Sequence, residues 1–271
     1  MEYVLKHGKD RVDGTKIMTR SIFGMQMRFS LDEGFPAVTT KKLAFNQVKA
    51  ELLWFLSGSS DIKFLHENNC HIWDINYESD FWQQRKKFAG DLGRVYGVQW
   101  RSWQTKSGQT IDQLAKAIQD IKENPTSRRI IVSAWNPGEL NEMALPPCHI
   151  MFQFYVADNT LSLHMYQRSA DMFLGVPFNI ASYSMLLCLV AQVCNLRPGE
   201  FIHTLGDAHI YENHFTQVKK QLTRQPYSLP KLWINPRVKS IDGFTMDDIK
   251  LIDYKHHESL KAEMINTSRK T

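Results

Sequence analysis

Between Leu43 and Leu56, apolar residues recur three and four positions apart, with Phe45, Val48, Leu52 and Phe55 forming one stripe. That period predicts a helix lying against a core. Glu51 falls on the same face, between Val48 and Phe55, so the pattern sets a carboxyl group among apolar neighbours. A second helix is predicted to open at Thr110, with Thr110 and Gln113 as a capping box and Ile111, Leu114, Ile118 and Ile121 as its stripe. Pro125 lies beyond its end. Residues 178–194 are apolar nearly all round, as in a helix enclosed by the core.

Elsewhere the period is two. Residues 20–30 read as a strand, and 149–156 and 161–169 read as a hairpin turning at Asp158-Asn159. In the second arm Leu161, Leu163 and Met165 alternate with Ser162, His164 and Tyr166. If the two turn residues are the loop, Ala157 faces Thr160. The same register carried outward sets Cys148 opposite Ser169 and beside Arg168. Strands are also expected at 231–235, 249–254 and 260–265. Residues 78–90, ESDFWQQRKKFAG, are polar enough to predict a surface excursion.

Composition narrows the class. The 271 residues are 43% hydrophobic and 11% aromatic, enough for a sizeable core, and carry neither repeats nor a low-complexity linker. A single domain spanning 1–271 is expected. The net charge of +5 favours anionic partners, yet no block of five like charges and no basic strip interleaved with aromatics is present. A dedicated nucleic-acid partner is therefore not expected. Cys70, Cys148, Cys188 and Cys194 show no CxxC spacing, so neither a zinc knuckle nor a redox pair is suggested. The N-terminus does not resemble a signal peptide, and the apolar run from Met185 to Val193 is too short to span a bilayer. These features lead to the expectation of a soluble, cytoplasmic protein with no membrane partner.

Cys148 stands directly behind two prolines, in ALPPCHIMFQFY. A cysteine heading an apolar run is ordinarily a small core residue. The hairpin register, however, supplies a guanidinium neighbour in Arg168, and a nearby cation favours thiolate. Core filler and nucleophile both remain open on spacing alone. His149 is adjacent in sequence but points to the opposite face, which makes it a poor base for Cys148.

The strings MALPPCH, YQRSADMFLGVPFNIASY, PTSRRIIVSAWNPGEL and LGDAHIYENH together resemble the thymidylate synthase family. The likeness runs from about Asp10 to Lys261. It implies an α/β (α+β) fold, a single domain with a large mixed β-sheet flanked by helices, and a homodimer across the sheet face. It also implies reductive methylation of dUMP to dTMP, with 5,10-methylenetetrahydrofolate as carbon donor and reductant and with neither metal nor NAD. Cys148 matches the nucleophile that adds to uracil C6.

By the same resemblance, Arg168 and Ser169 hold the phosphate with Arg11, while Arg128 and Arg129 reach into the partner's site. His209 and Tyr211 match groups that bind the deoxyribose hydroxyl, and Asn179 reads the uracil edge. Asp171 matches the carboxylate that bonds the pterin. Trp73 and Leu145 belong to the folate side. Glu51 is assigned acid–base work near uracil O4, a role that suits a carboxyl whose burial raises its pKa. Tyr96 matches a tyrosine that organises the water taking the C5 proton.

Two departures separate this chain from the family pattern. The loop DRVDGTKIMTRSIFG is longer than usual, and the C-terminus continues past KAEMIN as an extension over 266–271. Because closure of that end excludes water, a dUMP 5-hydroxymethylase stands as the alternative reading. A nucleotide- or RNA-binding homologue without catalysis is the third.

Overall fold

The computed structural model describes residues 1–12 and 16–265, so part of the lengthened N-terminal loop and the whole 266–271 extension lie outside it. Six strands make one mixed sheet: β1 (Lys9–Val12), β2 (Met18–Ser30), β3 (Ile131–Ser133), β4 (His149–Ala157), β5 (Thr160–Asp171) and β6 (Arg197–Tyr211). Their spatial order is β1-β2-β6-β5-β4-β3. Every pairing is antiparallel except β5 with β6, which are parallel. A parallel pair needs a long crossover, and here it is the helix α3 (Gly175–Val193). The result is the expected α+β single domain with helices on a large mixed sheet.

Alternation decides which sheet face is buried. Leu161, Leu163, Met165 and Gln167 of β5 all turn inward, as do Phe152 and Phe154 of β4. The helices α1 (Phe45–Ser57) and α3 cover that face, where Trp54, Phe55, Trp100 and Tyr183 are buried with them. Gln26, Arg28, Tyr155 and His164 are exposed on the strands instead. Helix α3 is long and apolar enough to cross a membrane by composition, but most of it is buried inside this core.

The hairpin of β4 and β5 turns at Asp158 and Asn159, both with positive φ (49° and 58°), as a two-residue turn requires. The expected register holds from Ala157↔Thr160 to Met151↔Tyr166 and then slips by one at a bulge between His149 and Met151. The bulge corrects the outward extrapolation: Cys148 lies opposite Arg168, whose backbone N–H donates to the Cys148 carbonyl at 2.8 Å. A bulge re-aims side chains locally, and pattern counting passes straight through it.

Three other expectations change. The helix expected from Thr110 is α2 (Gln113–Glu123), capped by Asp112, whose carboxylate accepts from Ala115 N–H at 2.9 Å. Thr110–Ile111 is a short strand paired with Trp103–Gln104, and Ile111 is exposed while Leu114, Ile118 and Ile121 are buried. Strands at Lys231–Ile234 and Ile249–Ile252 pair with each other, but 260–265 is irregular chain. Residues 78–90 carry the short helix Asp80–Gln83, whose Phe81 and Trp82 are buried, with mostly exposed residues after it.

The capping assignment has a direct test. Asp112→Ala removes both the cap and the carboxylate bonded to Arg101 Nε at 2.9 Å, and should cost about 1–2 kcal/mol in urea denaturation. Thr110→Ala should stay within about 0.5 kcal/mol. Equal losses from the two would contradict the assignment.

Candidate active site

One cavity of about 790 Å³ opens where the C-terminal ends of β5 and β6 meet the start of α3 and one face of α1. Its wall includes Glu51, Trp73, Tyr96, Leu145, Cys148, Ser169, Asp171, Asn179, His209 and Tyr211. The sequence scatters these residues from α1 to β6, and the fold gathers them. Four of the expected site residues are not on this wall, and all four are arginines: Arg11, Arg128, Arg129 and Arg168.

Glu51 owes its setting to α1. Its face of the helix is the core stripe, so the carboxyl group is only 7% exposed. The Trp73 indole N–H donates to its Oε1 at 2.8 Å. Burial pushes its pKa up from 4.5 to about 7, against the smaller opposing pull of the Trp73 bond. A carboxyl group poised near neutrality can both give and take a proton.

Tyr96 begins the short helix Tyr96–Arg101, which packs tightly on α1. Gly97 permits that approach, since a Cβ there would lie 2.6 Å from the Phe55 carbonyl oxygen. The Tyr96 hydroxyl accepts from Cys148 N–H at 2.7 Å, which leaves its own hydrogen free to point at the thiol. Its ring stacks on His149, with centroids 4.0 Å apart. Burial drives the phenol pKa well above its usual value, so the group stays protonated and serves as a donor.

Cys148 sits at the mouth of the bulge, partly buried. Burial pushes its thiol pKa above the ordinary value; the charge of Arg168 and the bond from Tyr96 pull the other way without winning. The expected depressed thiol pKa is thus corrected, because desolvation outweighs one nearby cation. The Arg168 guanidinium is held by the prolines that precede the cysteine: Nε donates to Pro147 O at 2.8 Å and a terminal nitrogen to Pro146 O at 3.1 Å. It also lies over Trp135, 5.5 Å from the ring centroid. Arg168 therefore fixes the approach to Cys148 as well as charging its surroundings.

The remaining arginines stand further out. Arg11 on β1 pairs with Asp207 at 3.0 Å, while Arg128 and Arg129 are exposed just before β3. Burial works to lower the pKa of His209, but bonds and charge from Asp207, together with the charge of Asp171, outweigh it and raise the value. Asp171 closes the turn into α3 by accepting from Phe173 N–H at 2.9 Å.

Sequence reasoning passed over several residues here. Gln167 is 3% exposed and donates to Ser169 O at 2.9 Å and to Asn179 Oδ1 at 3.0 Å. Its Oε1 meets His203 Nε2 at 2.8 Å. The signal was available: a glutamine continuing the inward set Leu161, Leu163, Met165 must find polar partners. His149, expected on the opposite face from Cys148, borders the same cavity; bonded to Tyr183 at 2.6 Å and held near a pKa of 3 by burial and by His203, it is a neutral imidazole. Lys41 lies buried on the wall, its ammonium donating to Phe173 O, and burial lowers its pKa to about 8. Residues 259–262, Met264 and Ile265 close one side, tied down by His214 Nε2 at 2.8 Å from Glu263 O.

This arrangement combines a thiol, a half-titrating carboxyl, a tyrosine donor and an amide with a flat apolar wall. It suits addition to a polarised double bond, with proton transfer at a heteroaromatic ring. A family model described as Thymidylate synthase matches residues 1–266.

Proposed function

The chain belongs to the thymidylate synthase family, and from that premise we propose that it converts dUMP to dTMP with 5,10-methylenetetrahydrofolate as co-substrate. The observation carrying this reading is that the buried Glu51, with a pKa near 7, faces the same cavity as Cys148. A cavity of about 790 Å³ falls in the range of small-molecule sites. Trp73, Leu145, Leu174 and Pro177 give it an apolar side suited to a flat pterin, with Asp171 as an acceptor beside them.

In this reading the Cys148 thiol releases its proton to water as its sulfur bonds to uracil C6, and the electrons of the C5–C6 double bond move toward O4. Glu51 supplies the proton that settles there. C5 then bonds the folate methylene as that carbon's bond to N10 breaks and the O4 proton returns to Glu51. Loss of the C5 proton through water near Tyr96 then expels the folate nitrogen N5 from the methylene, leaving an exocyclic methylene on C5 while the sulfur stays on C6. Hydride from the folate reduces that group to methyl as the C5–C6 double bond re-forms and the sulfur leaves C6, which converts the folate to dihydrofolate. Asn179 pairs with the uracil amide edge; with its oxygen already receiving Gln167, its NH₂ is left to donate to O4. Arg11, Arg128, Arg129 and Arg168 are assigned to phosphate, the middle pair across a homodimer in which the uncovered sheet faces meet. A cytoplasmic location accompanies this proposal.

Residues 259–262, Met264 and Ile265 lie along the cavity, which supports exclusion of water before hydride transfer. The test is to incubate the protein with dUMP and methylenetetrahydrofolate and follow both products. One dihydrofolate per dTMP is expected. Release of the C5 proton with a hydroxymethyl product and no dihydrofolate would establish the hydroxymethylase instead.

A further inference from the structure

Outside the cavity, His66, His71 and Asp74 converge on one point. His66 Nε2 lies 2.7 Å from one Asp74 carboxylate oxygen, and His71 Nδ1 lies 2.9 Å from the other. The two imidazoles are stacked with centroids 5.0 Å apart. One ligand atom from each residue falls within 4.8 Å of the others, the one such group of three among the described residues.

The turn carrying them is held in place. The helix Lys63–Glu67 ends in backbone bonds from Asn69 N–H to His66 O (3.0 Å) and from Cys70 N–H to Leu65 O (2.9 Å). Asn69 takes the positive φ of 52° that this reversal needs. Asp74 N–H then donates to His71 O at 3.2 Å. Leu65 and Cys70 are fully buried and Trp73 is 4% exposed, so the turn is anchored in the core on both sides. The donor groups thus need little ordering when a ligand arrives.

We propose that His66, His71 and Asp74 form a surface binding site for a zinc-like divalent cation. Two imidazoles with one carboxylate suit a borderline first-row metal far better than magnesium or calcium, which prefer all-oxygen shells. Zinc bonds of about 2.0–2.1 Å in a tetrahedron set ligand atoms roughly 3.3 Å apart. The two His–Asp contacts have to open by about half an ångström, and the widest separation in the trio, up to 4.8 Å, has to close by side-chain rotation. Exposure of 42% for His66 and 60% for His71 leaves room for that movement and for water as the fourth ligand. On binding, each metal-facing ring nitrogen gives up its N–H. Solvent carries that proton away, so each ring presents a lone pair to the metal. The metal would clamp the turn leading into Trp73, whose indole holds Glu51. This proposal does not depend on which reaction the cavity performs.

The test is zinc titration by calorimetry of the untagged, full-length Cys148→Ser protein, which lacks the thiol that would compete for the ion. One equivalent per chain is expected. His71→Ala and His66→Asn, introduced separately into that protein, should each weaken binding by at least about tenfold while the far-ultraviolet circular dichroism and dUMP affinity stay unchanged. Absence of stoichiometric binding overturns the proposal. So does binding that both substitutions leave intact.

Discussion

Cys148→Ser is expected to abolish turnover, by about 10⁴-fold or more, while dUMP affinity stays within about threefold. The reasoning begins with the thiol's surroundings. Burial keeps its pKa above the ordinary value, so the attacking anion must form as the substrate binds and reacts. The Tyr96 hydroxyl, already fixed by Cys148 N–H, and the guanidinium of Arg168, fixed by Pro146 and Pro147, stabilise charge that develops on sulfur. A serine oxygen in the same place has a far higher pKa, and neither neighbour is placed to close that gap. The substitution removes one atom's chemistry and leaves the shape, so binding should survive. Tritium release from C5-labelled dUMP measures the loss and equilibrium dialysis measures the affinity. Substantial release by the serine variant would remove Cys148 from the nucleophile's role.

Glu51→Gln should separate activity from stability. An amide cannot carry the proton, so kcat is expected to fall by about 10²–10⁴, and the inflection near pH 7 in the wild-type kcat profile should vanish. Stability should move the other way. The carboxyl pKa rises from 4.5 to about 7 on folding, so between these values the native state holds a proton that the unfolded chain has released. Wild-type stability is therefore unpenalised below about pH 4.5 and declines as pH rises towards 7. The full penalty is about 3 kcal/mol, at about 1.4 kcal/mol per pKa unit. The substituted amide is never ionised, and its oxygen can still accept from the Trp73 indole that now bonds Glu51. The variant's advantage in thermal denaturation should grow from pH 5 to pH 7.5. A stability difference independent of pH would show that Glu51 is not titrating in this window.

These two expectations draw on different kinds of information. Glu51 was visible as a carboxyl group on an apolar helical stripe, because a 3.6-residue period fixes which residues share a face. Its pKa depends on how completely Trp73 and its neighbours enclose it. The β4–β5 hairpin was readable from alternation and a two-residue turn, but the bulge between His149 and Met151 moved Cys148 from Ser169 to Arg168. An extra residue in a strand leaves little trace in a pattern of period two. The Asp112 cap was misplaced onto Thr110 because the short strand at Thr110–Ile111 uses the same kinds of residue.

Gln167 and the His66–His71–Asp74 cluster show the boundary most sharply. Gln167 continues a core-facing alternation, so its burial could be foreseen, yet its partners Asn179 and His203 come from a helix and another strand. The three residues of the cluster are close in sequence, but only the tight reversal at Asn69 points their side chains at one another. The amino-acid order alone determined the family, the principal helices and strands and the chemical types in the site, because periodicity and long matching strings are local properties of the chain. The folded structure decided register, enclosure and pairing across elements, because desolvation and hydrogen-bond geometry depend on atoms that only folding brings together.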